Sequence, residues 1–311
     1  MATRATLDIH GRKVDVTNLD KIFYPKTGFT KGNIINYYVR ISPVLLPHLK
    51  DRAISLKRYP DGVEGFFFYE KNAPAHRPTW IKTTKVPKDN GGEINYCVMN
   101  DLPALVWAAN LADLELHTFL HRAPSLHRPT ALAFDLDPGS PADILSCSEV
   151  GLWLKSIFDS LGLASFPKTS GSKGLQIYVP LNTATTYEKT KAFALEMAHV
   201  LEVLHPEKVV SRMQKTLRSG KILVDWSQND DKKTTVNVYS LRAREQPMVS
   251  TPVTWDEIKV AVQKRNPTLL TFDSEQVLQR VADHGDLFAE VLTLKQNLPP
   301  PSVIAEAVKS I

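Results

Sequence analysis

The ten residues from Ala131 to Ser140, ALAFDLDPGS, constrain this chain more than any other stretch. Ala131 to Phe134 is a short apolar run of the kind that forms a buried strand. It leads into Asp135 and Asp137. Side chains alternate faces along a strand, so positions i and i+2 project the same way. Two carboxylates therefore aim at one spot, and Pro138-Gly139 ends the strand at once. Like charges that close repel unless a cation lies between them. Mg²⁺ and Mn²⁺ prefer hard oxygen ligands and meet that need. An isolated DxD reads equally as a strand end with two solvated acids entering a turn, so the decision rests on the rest of the chain.

The surrounding pattern predicts an α+β protein with mixed or antiparallel sheets and flanking helices. Residues 5–17 alternate around HGRK as a hairpin, and Asn18-Leu19-Asp20-Lys21 starts a short helix. Thr30 caps a helix running from Lys31 to about Leu49. Ala53 to Tyr59 is a strand, and Phe66 to Tyr69 is its hairpin partner across Pro60-Asp61-Gly62. Further strands are expected near Trp80–Lys85, Ile94–Val98, Leu114–Phe119, Ser165–Thr169, Leu175–Pro180, Lys221–Trp226 and Val236–Ser240. Helices are expected over Asp101–Leu111, Pro141–Leu161, Thr186–Leu204 and Trp255–Gln263.

At 311 residues, 43% of them hydrophobic, the chain can build a sizeable core in one large domain or two modest ones. The net charge of +5 suits a polyanionic partner. Cys97 and Cys147 match no metal-ligand spacing and read as thiols of a reducing compartment. The N-terminal MATRATLDIHGRK lacks the apolar core of a signal peptide, and no apolar run approaches the roughly 18 residues that span a bilayer. A cytoplasmic protein with no membrane partner is the expectation.

A second apolar strand, KILVDWS, closes on Asp225. A third acid on a strand next to the DxD strand completes a three-carboxylate cage suited to two-metal phosphoryl transfer. The segment Thr169–Gln176, TSGSKGLQ, is a glycine turn between apolar strands. Gly171 and Gly174 allow close backbone approach to a ligand, while Ser170, Ser172 and Lys173 offer hydroxyls and a cation. It reads as a phosphate cradle and lacks the GxxxxGK[ST] pattern of a P-loop. Arg242 and Arg244, alternating with apolar residues, suit triphosphate clamping. His117 closes a strand expected to lie beside the DxD strand. Asn18, Lys21, Lys26 and Lys31, interleaved with Tyr24 and Phe29, form a basic and aromatic cluster suited to phosphate and base contacts.

Together the motifs TNLDK, GFTKG, LKRYPDG, EKNAPAH, INYC, LELH, FDLDPG, TSGSKGL, KILVDWSQN and YSLRAR resemble, in order and spacing, the polymerase domain of bacterial ligase D in the archaeo-eukaryotic primase superfamily. The likeness runs from about Thr17 to Asp286. It implies a primase-polymerase domain over residues 1–298, with a primase-like catalytic core. Within it, a DNA-end-binding part covers about 1–50, the catalytic core about 51–260 and a helical part about 261–298; residues 299–311 form a tail or linker. It implies Asp135, Asp137 and Asp225 as ligands of Mn²⁺ or Mg²⁺, and His117 as an essential histidine. Lys57, Ser170, Lys173 and Arg242 are implied on the incoming nucleotide's phosphates, and Phe68 and Tyr69 near the base and template. Asn18, Lys21 and Lys31 match a pocket for the 5′-phosphate of a DNA end. The implied activity is template-dependent filling of gaps and extension of ends in non-homologous end joining, with NTPs preferred over deoxynucleotides. The implied partners are DNA ends, gapped DNA with a 5′-phosphate, Ku and a ligase domain, and the implied setting is the nucleoid.

One departure stands out. The family pattern reads SGxKGLH, and Gln176 occupies the histidine position. That histidine contacts nucleotide phosphates, and Gln can donate a hydrogen bond but carries no charge. A weaker hold on nucleotide is expected, with Gln176→His tightening it. Two other classes share part of this pattern. A haloacid-dehalogenase-like phosphatase also carries a DxD after an apolar strand, but its signature continues differently and normally opens its domain. A non-catalytic DNA-end binder would use the N-terminal basic cluster alone.

Overall fold

The computed structural model describes residues 4–88, 90–300 and 302–303, so the tail expected over 299–311 lies largely outside the described residues. The chain groups into two compact bodies, each assembled from several segments. The first holds residues up to Pro124, Thr234–Ser250 and Phe272–Asp286; the second holds Ser125–Lys233, Thr251–Thr271 and the chain from Leu287.

The first body opens with an antiparallel hairpin of β1 (Arg4–Ile9) and β2 (Arg12–Thr17), turning at His10-Gly11, both at positive φ. The helix expected at Asn18–Lys21 is a turn instead. Asn18 sits at φ 54°, and the Lys21 N–H returns to the Asn18 carbonyl at 3.0 Å. Asn tolerates this left-handed backbone better than most residues. β3 (Ile22–Tyr24) and β4 (Phe29–Thr30) then pair, and α1 (Lys31–Leu49) follows. The Thr30 hydroxyl accepts from the Asn33 N–H while the Asn33 side chain accepts from the Thr30 N–H, a reciprocal cap that fixes the helix start. Ile34, Tyr38, Ile41, Leu45 and Leu49 recur at helical spacing and are fully buried.

β5 (Ala53–Arg58), β6 (Phe68–Glu70), β7 (Lys82–Pro87), β8 (Glu93–Val98), α2 (Leu102–Asn110) and β9 (Asp113–Thr118) continue this body. The second body contributes β10 (Ala131–Pro138), α3 (Ile144–Ser160), β11 (Phe166–Thr169), β12 (Leu175–Pro180), α4 (Tyr187–Leu204), β13 (Val209–Val210) and β14 (Ile222–Asp225). The chain returns to the first body for β15 (Thr235–Val236), β16 (Leu241–Ala243) and β17 (Pro247–Val249). It passes to the second for α5 (Trp255–Lys264), back to the first for α6 (Ser274–His284), and ends in the second with α7 (Glu290–Thr293). The strand expected over Val236–Ser240 is confined to β15 because Tyr239, at φ 64°, turns the backbone.

The first body's sheet runs β15-β9-β5-β8-β7, with β6 also on β5, and every pairing is antiparallel. The second body's sheet runs β11-β12-β10-β14-β13, antiparallel but for β13 with β14. The architecture is α+β, as the sequence pattern predicts. β9 and β10 belong to different sheets, so His117 does not end a strand beside the DxD strand. Neighbours in sequence usually pair, but β9 takes β5 as its partner across more than fifty residues. Asp286, the last residue of the first body, closes it. Its carboxylate accepts from the Tyr239 hydroxyl at 2.7 Å and meets Nε2 of His48, in α1, at 2.8 Å.

In the second body, alternation along β10 sends Phe134 and Leu136 toward the helices and Asp135 and Asp137 to the opposite face. Phe134 packs against Phe158 of α3 at 5.4 Å, and Phe158 against Phe193 of α4 at 6.5 Å. β10 outruns β14 at its start: β14 ends at Asp225, opposite Asp135, so Ala133 has no strand partner on that side. Asn229 fills the gap. Its amide oxygen accepts from the Ala133 N–H at 3.0 Å, and its amide nitrogen donates to the Ala133 carbonyl at 2.8 Å. Asn229→Ala strips both backbone groups of a buried partner and should cost about 2 kcal/mol. The check is thermal unfolding, with the midpoint falling by several degrees.

Candidate active site

The pairing of β10 places the second body's acids. Asp135 lies directly opposite Asp225 on β14 and opposite Gln176 on β12, and Gln176 lies opposite Lys168 on β11. Directly paired residues share a face. Lys168, Gln176, Asp135 and Asp225 therefore form a row across four strands, and Asp137 stands two residues along the same face of β10. Burial, and then the Asp137 charge, push the Asp135 carboxyl up to about 7, with Asp225 adding to the rise; a hydrogen bond from Gln176 and the Lys168 charge oppose it. Asp225 is oriented by its own sequence neighbours. Oδ1 accepts from the Ser227 N–H at 2.8 Å and hydroxyl at 2.6 Å, and Oδ2 from the Gln228 amide at 3.0 Å. The run DWSQN thus supplies one acid, two groups that aim it and the Asn229 plug in β10.

Among the described residues, no three His, Cys, Asp or Glu side chains already clasp a common ion position. The donor set still fits a hard divalent cation: all oxygen, on one face, with mutual repulsion that a cation relieves. Carboxylate oxygens have lone pairs beyond those that accept hydrogen bonds, so the bonds to Asp225 do not exclude ligation.

The glycine turn lies against the end of β10. A Cβ on Gly174 would meet the Leu136 carbonyl at 2.4 Å and approach Asp137 Oδ1 at 3.7 Å, so only glycine allows this contact. Ser170, 8% exposed, is built into the turn, its hydroxyl accepting from the N–H groups of Ser172 at 3.2 Å and Gly174 at 3.1 Å. Lys173 is exposed near the tip. Gly139 faces a similar limit, since a Cβ there would overlap the Arg218 carbonyl.

In the first body, His117, Lys57 and Arg242 converge on one residue that the sequence reading passed over, Glu115. Its carboxylate, 2% exposed, meets His117 Nε2 at 3.0 Å, Lys57 Nζ at 3.2 Å and Arg242 Nε at 3.4 Å, and accepts from the Tyr59 hydroxyl at 3.2 Å and the Ala243 N–H at 3.0 Å. Hydrogen bonding from His117 and the Arg242 charge hold Glu115 well below the usual carboxylate range, overcoming burial. Burial lowers the His117 pKa, with Arg242 and Lys57 adding to the effect against Glu115. Facing an ionised carboxylate, Nε2 of His117 is the ring nitrogen that donates. The Lys57 ammonium lies 4.7 Å from the Phe67 ring, 5.3 Å from Tyr59 and 5.6 Å from Tyr69. Tyr69 pairs with Lys57 across β5 and β6 and stands edge-on to His117. Phe68, one residue away and so on the other face, packs with Arg58 and Phe66. The i, i+2 rule that found DxD applies equally to Glu115-x-His117 and was the available signal.

The N-terminal residues also gather within the first body. Lys21 donates to the Pro60 carbonyl at 2.7 Å and to Asp61 at 3.2 Å. Lys31, 5% exposed, donates to the Thr17 hydroxyl at 3.4 Å. Burial, then the charges of Lys21 and Arg58, lower Lys31 to about 8. The turn holding Asn18 is fastened to α1 by the Lys31 N–H on the Lys21 carbonyl and the Gly32 N–H on the Leu19 carbonyl, both at 2.8 Å. Two lysine side chains, Lys21 and Lys31, next to a helix N-terminus suit an anion.

The Asp135 shift has a consequence for stability. A carboxyl raised from 3.8 to about 7 in the folded state penalises folding once it must ionise. The penalty is absent below the unfolded value, grows as pH rises between the two and is complete above the folded one. In metal-free protein, Asp135→Asn should therefore stabilise by up to about 4 kcal/mol at pH 8 and by well under about 1 kcal/mol at pH 4. Melting midpoints at the two pH values, with chelator present, test this.

A family model for the LigD primase-polymerase domain matches residues 30–288. The multifunctional non-homologous end joining protein LigD of Mycolicibacterium smegmatis is 37% identical over 279 residues, covering 89% of this chain and 36% of the relative. The bifunctional non-homologous end joining protein LigD of Bacillus subtilis is 33% identical over 298 residues, covering 96% and 47%. The chain spans between about a third and a half of the length of these relatives. The solved polymerase domain from Mycobacterium tuberculosis ligase D, in complex with DNA, matches at a TM-score of 0.84 and 36% identity, covering 91% of this chain and 99% of that one. The cross-strand carboxylates, the glycine turn and these matches agree: the chain belongs to the LigD primase-polymerase domain family.

Proposed function

We propose that this chain is a template-dependent polymerase that fills gaps and extends DNA ends in non-homologous end joining, preferring ribonucleotides and using Mn²⁺ or Mg²⁺. Membership of the family makes it a metal-dependent nucleotidyltransferase domain of DNA repair. The observation that carries the reading is the register that sets Asp135 against Asp225 with Asp137 on the same face.

Asp135, Asp137 and Asp225 would hold the divalent ions, which when bound neutralise charge at the reacting phosphate. Asp225 reaches that task already aimed by Ser227 and Gln228. The Gly171–Gly174 turn and Lys173 offer a concave, cationic edge beside Asp137 for phosphates. In the first body, Lys57 and Arg242 offer charge to a triphosphate. Glu115 holds both cations and His117 in place. Tyr69 and Phe68 present rings for base contacts. Asn18, Lys21 and Lys31 are assigned to the 5′-phosphate of a DNA end. Ku and a ligase domain are proposed partners on family grounds. A nucleoid setting is proposed on family grounds; no helix among the described residues is long and apolar enough to cross a membrane.

Primer extension on a gapped duplex with Mn²⁺ is the test. The wild type should add ribonucleotides with kcat/KM about tenfold or more above deoxyribonucleotides, and Asp137→Ala should fall to background while keeping its fold. Extension by that variant, or none by the wild type, counts against the assignment.

The Lys31 shift predicts a pH dependence for end binding. An ammonium lowered to about 8 is charged at pH 7 and mostly neutral at pH 9. A bound phosphate favours the charged form, so binding above pH 8 must take up a proton. Preference for gapped DNA with a 5′-phosphate over the same duplex without it should shrink by up to about tenfold between pH 7 and 9. Lys31→Arg should remove that dependence, and a titration of the two duplexes at both pH values measures it.

A further inference from the structure

Lys168 lies on β11 with no exposed surface, inside the second body. Its ammonium donates to Oε1 of Gln176 at 2.5 Å. A lysine side chain has donors and no acceptor. Facing that ammonium, the Gln176 amide must present its oxygen and not its nitrogen. With Oε1 committed to Lys168 on one side, the Nε2 hydrogens face Asp135 on the other, where the Gln176 side chain hydrogen bonds the carboxyl. The strand register explains why: Gln176 is the cross-strand partner of both Lys168 and Asp135.

We propose that Lys168 is a positioning residue for the metal-holding acids, acting through Gln176 as a donor relay onto Asp135. This rests on the reading of Asp135 as a metal ligand. It assigns to Gln176 a task inside the protein, aiming an acid. The pair also bears on Gln176→His. An imidazole at position 176 must accept from Lys168, so it cannot be the charged, phosphate-binding group that the family pattern suggests while Lys168 is present. Gln176→His alone should weaken nucleotide binding, and adding Lys168→Met should recover it.

The test is a double-mutant cycle on the full chain with Mn²⁺ alone as the probe, in the absence of nucleotide and DNA. Lys168→Met keeps the length and apolar stem and removes the donor. Mn²⁺ affinity, by titration calorimetry, should drop about tenfold, the usual effect of losing a group that orients a ligand. In a Gln176→Ala background the same change should bring no further loss, because what remains of Lys168 there is its charge, and removing a cation does not weaken the hold on Mn²⁺. An equal loss in both backgrounds would overturn the relay. A second measurement needs no variant. The Gln176 side-chain amide protons should exchange slowly with solvent in the wild type by NMR, and Asp135→Asn should shift their resonances. Exchange as fast as that of an exposed glutamine would also overturn it. Neither readout involves polymerisation: failed primer extension with an intact cycle would sink the polymerase reading alone, whereas normal extension with no coupling would sink the relay alone.

Discussion

Everything at the acid face follows from repulsion held in place by packing. Asp135 and Asp225 face each other across two adjacent strands because the apolar residues alternating with them have nowhere else to go. Leu132, Phe134, Leu136, Ile222 and Val224 are essentially fully buried. A slip of one residue in the pairing of β10 with β14 would turn the acids toward the helices and the leucines toward solvent. The core therefore supplies the energy that keeps carboxylates closer than they would choose. The flanking groups limit the cost: Gln176 and Lys168 on one side, Ser227 and Gln228 on the other. The repulsion that remains is a property of the sheet.

The first body solves a mirror-image problem. There the crowd is cationic, with Lys57 and Arg242 beside a histidine, and a single buried carboxylate, Glu115, holds it together. Deleting one partner of such a cluster leaves charge uncompensated in a low dielectric, which is costlier than never having built it. Glu115 is for that reason a residue whose loss would spread through Lys57, His117 and Arg242 together.

Much of this was legible in the sequence because the signals were local. The DxD spacing, the strand ending in Asp225, the glycine turn and the Thr30 cap are each written within ten residues. What stayed hidden were partners chosen over long distances. Nothing in LELHT says that β9 will pair with β5, so His117 was assigned a neighbour it does not have. Nothing in FPKTS marks Lys168 as buried, since a lysine between a proline and two hydroxyl residues reads as surface. Glu115 was masked by its apolar neighbours Leu114 and Leu116, which made the segment look like core. The two-body organisation was invisible for the same reason: each body is stitched from separated stretches whose boundaries carry no compositional mark.

That stitching has a temporal side. The chain passes from one body to the other at Pro124/Ser125, Lys233/Thr234, Ser250/Thr251, Thr271/Phe272 and Asp286/Leu287. His48 is made early, and the carboxylate that clips it to Tyr239 belongs to Asp286. At ribosomal speeds of roughly 5–20 residues per second, that histidine waits on the order of ten to fifty seconds for its partner. In the meantime β9 also lacks β15, so one edge of the first sheet is bare while the chain is still growing. A nascent chain of this design therefore presents that unfinished edge to chaperones, and to neighbouring nascent chains, until β15 has been made. The first body is finished in steps, β15 closing the sheet edge first and Asp286 fastening His48 and Tyr239 last.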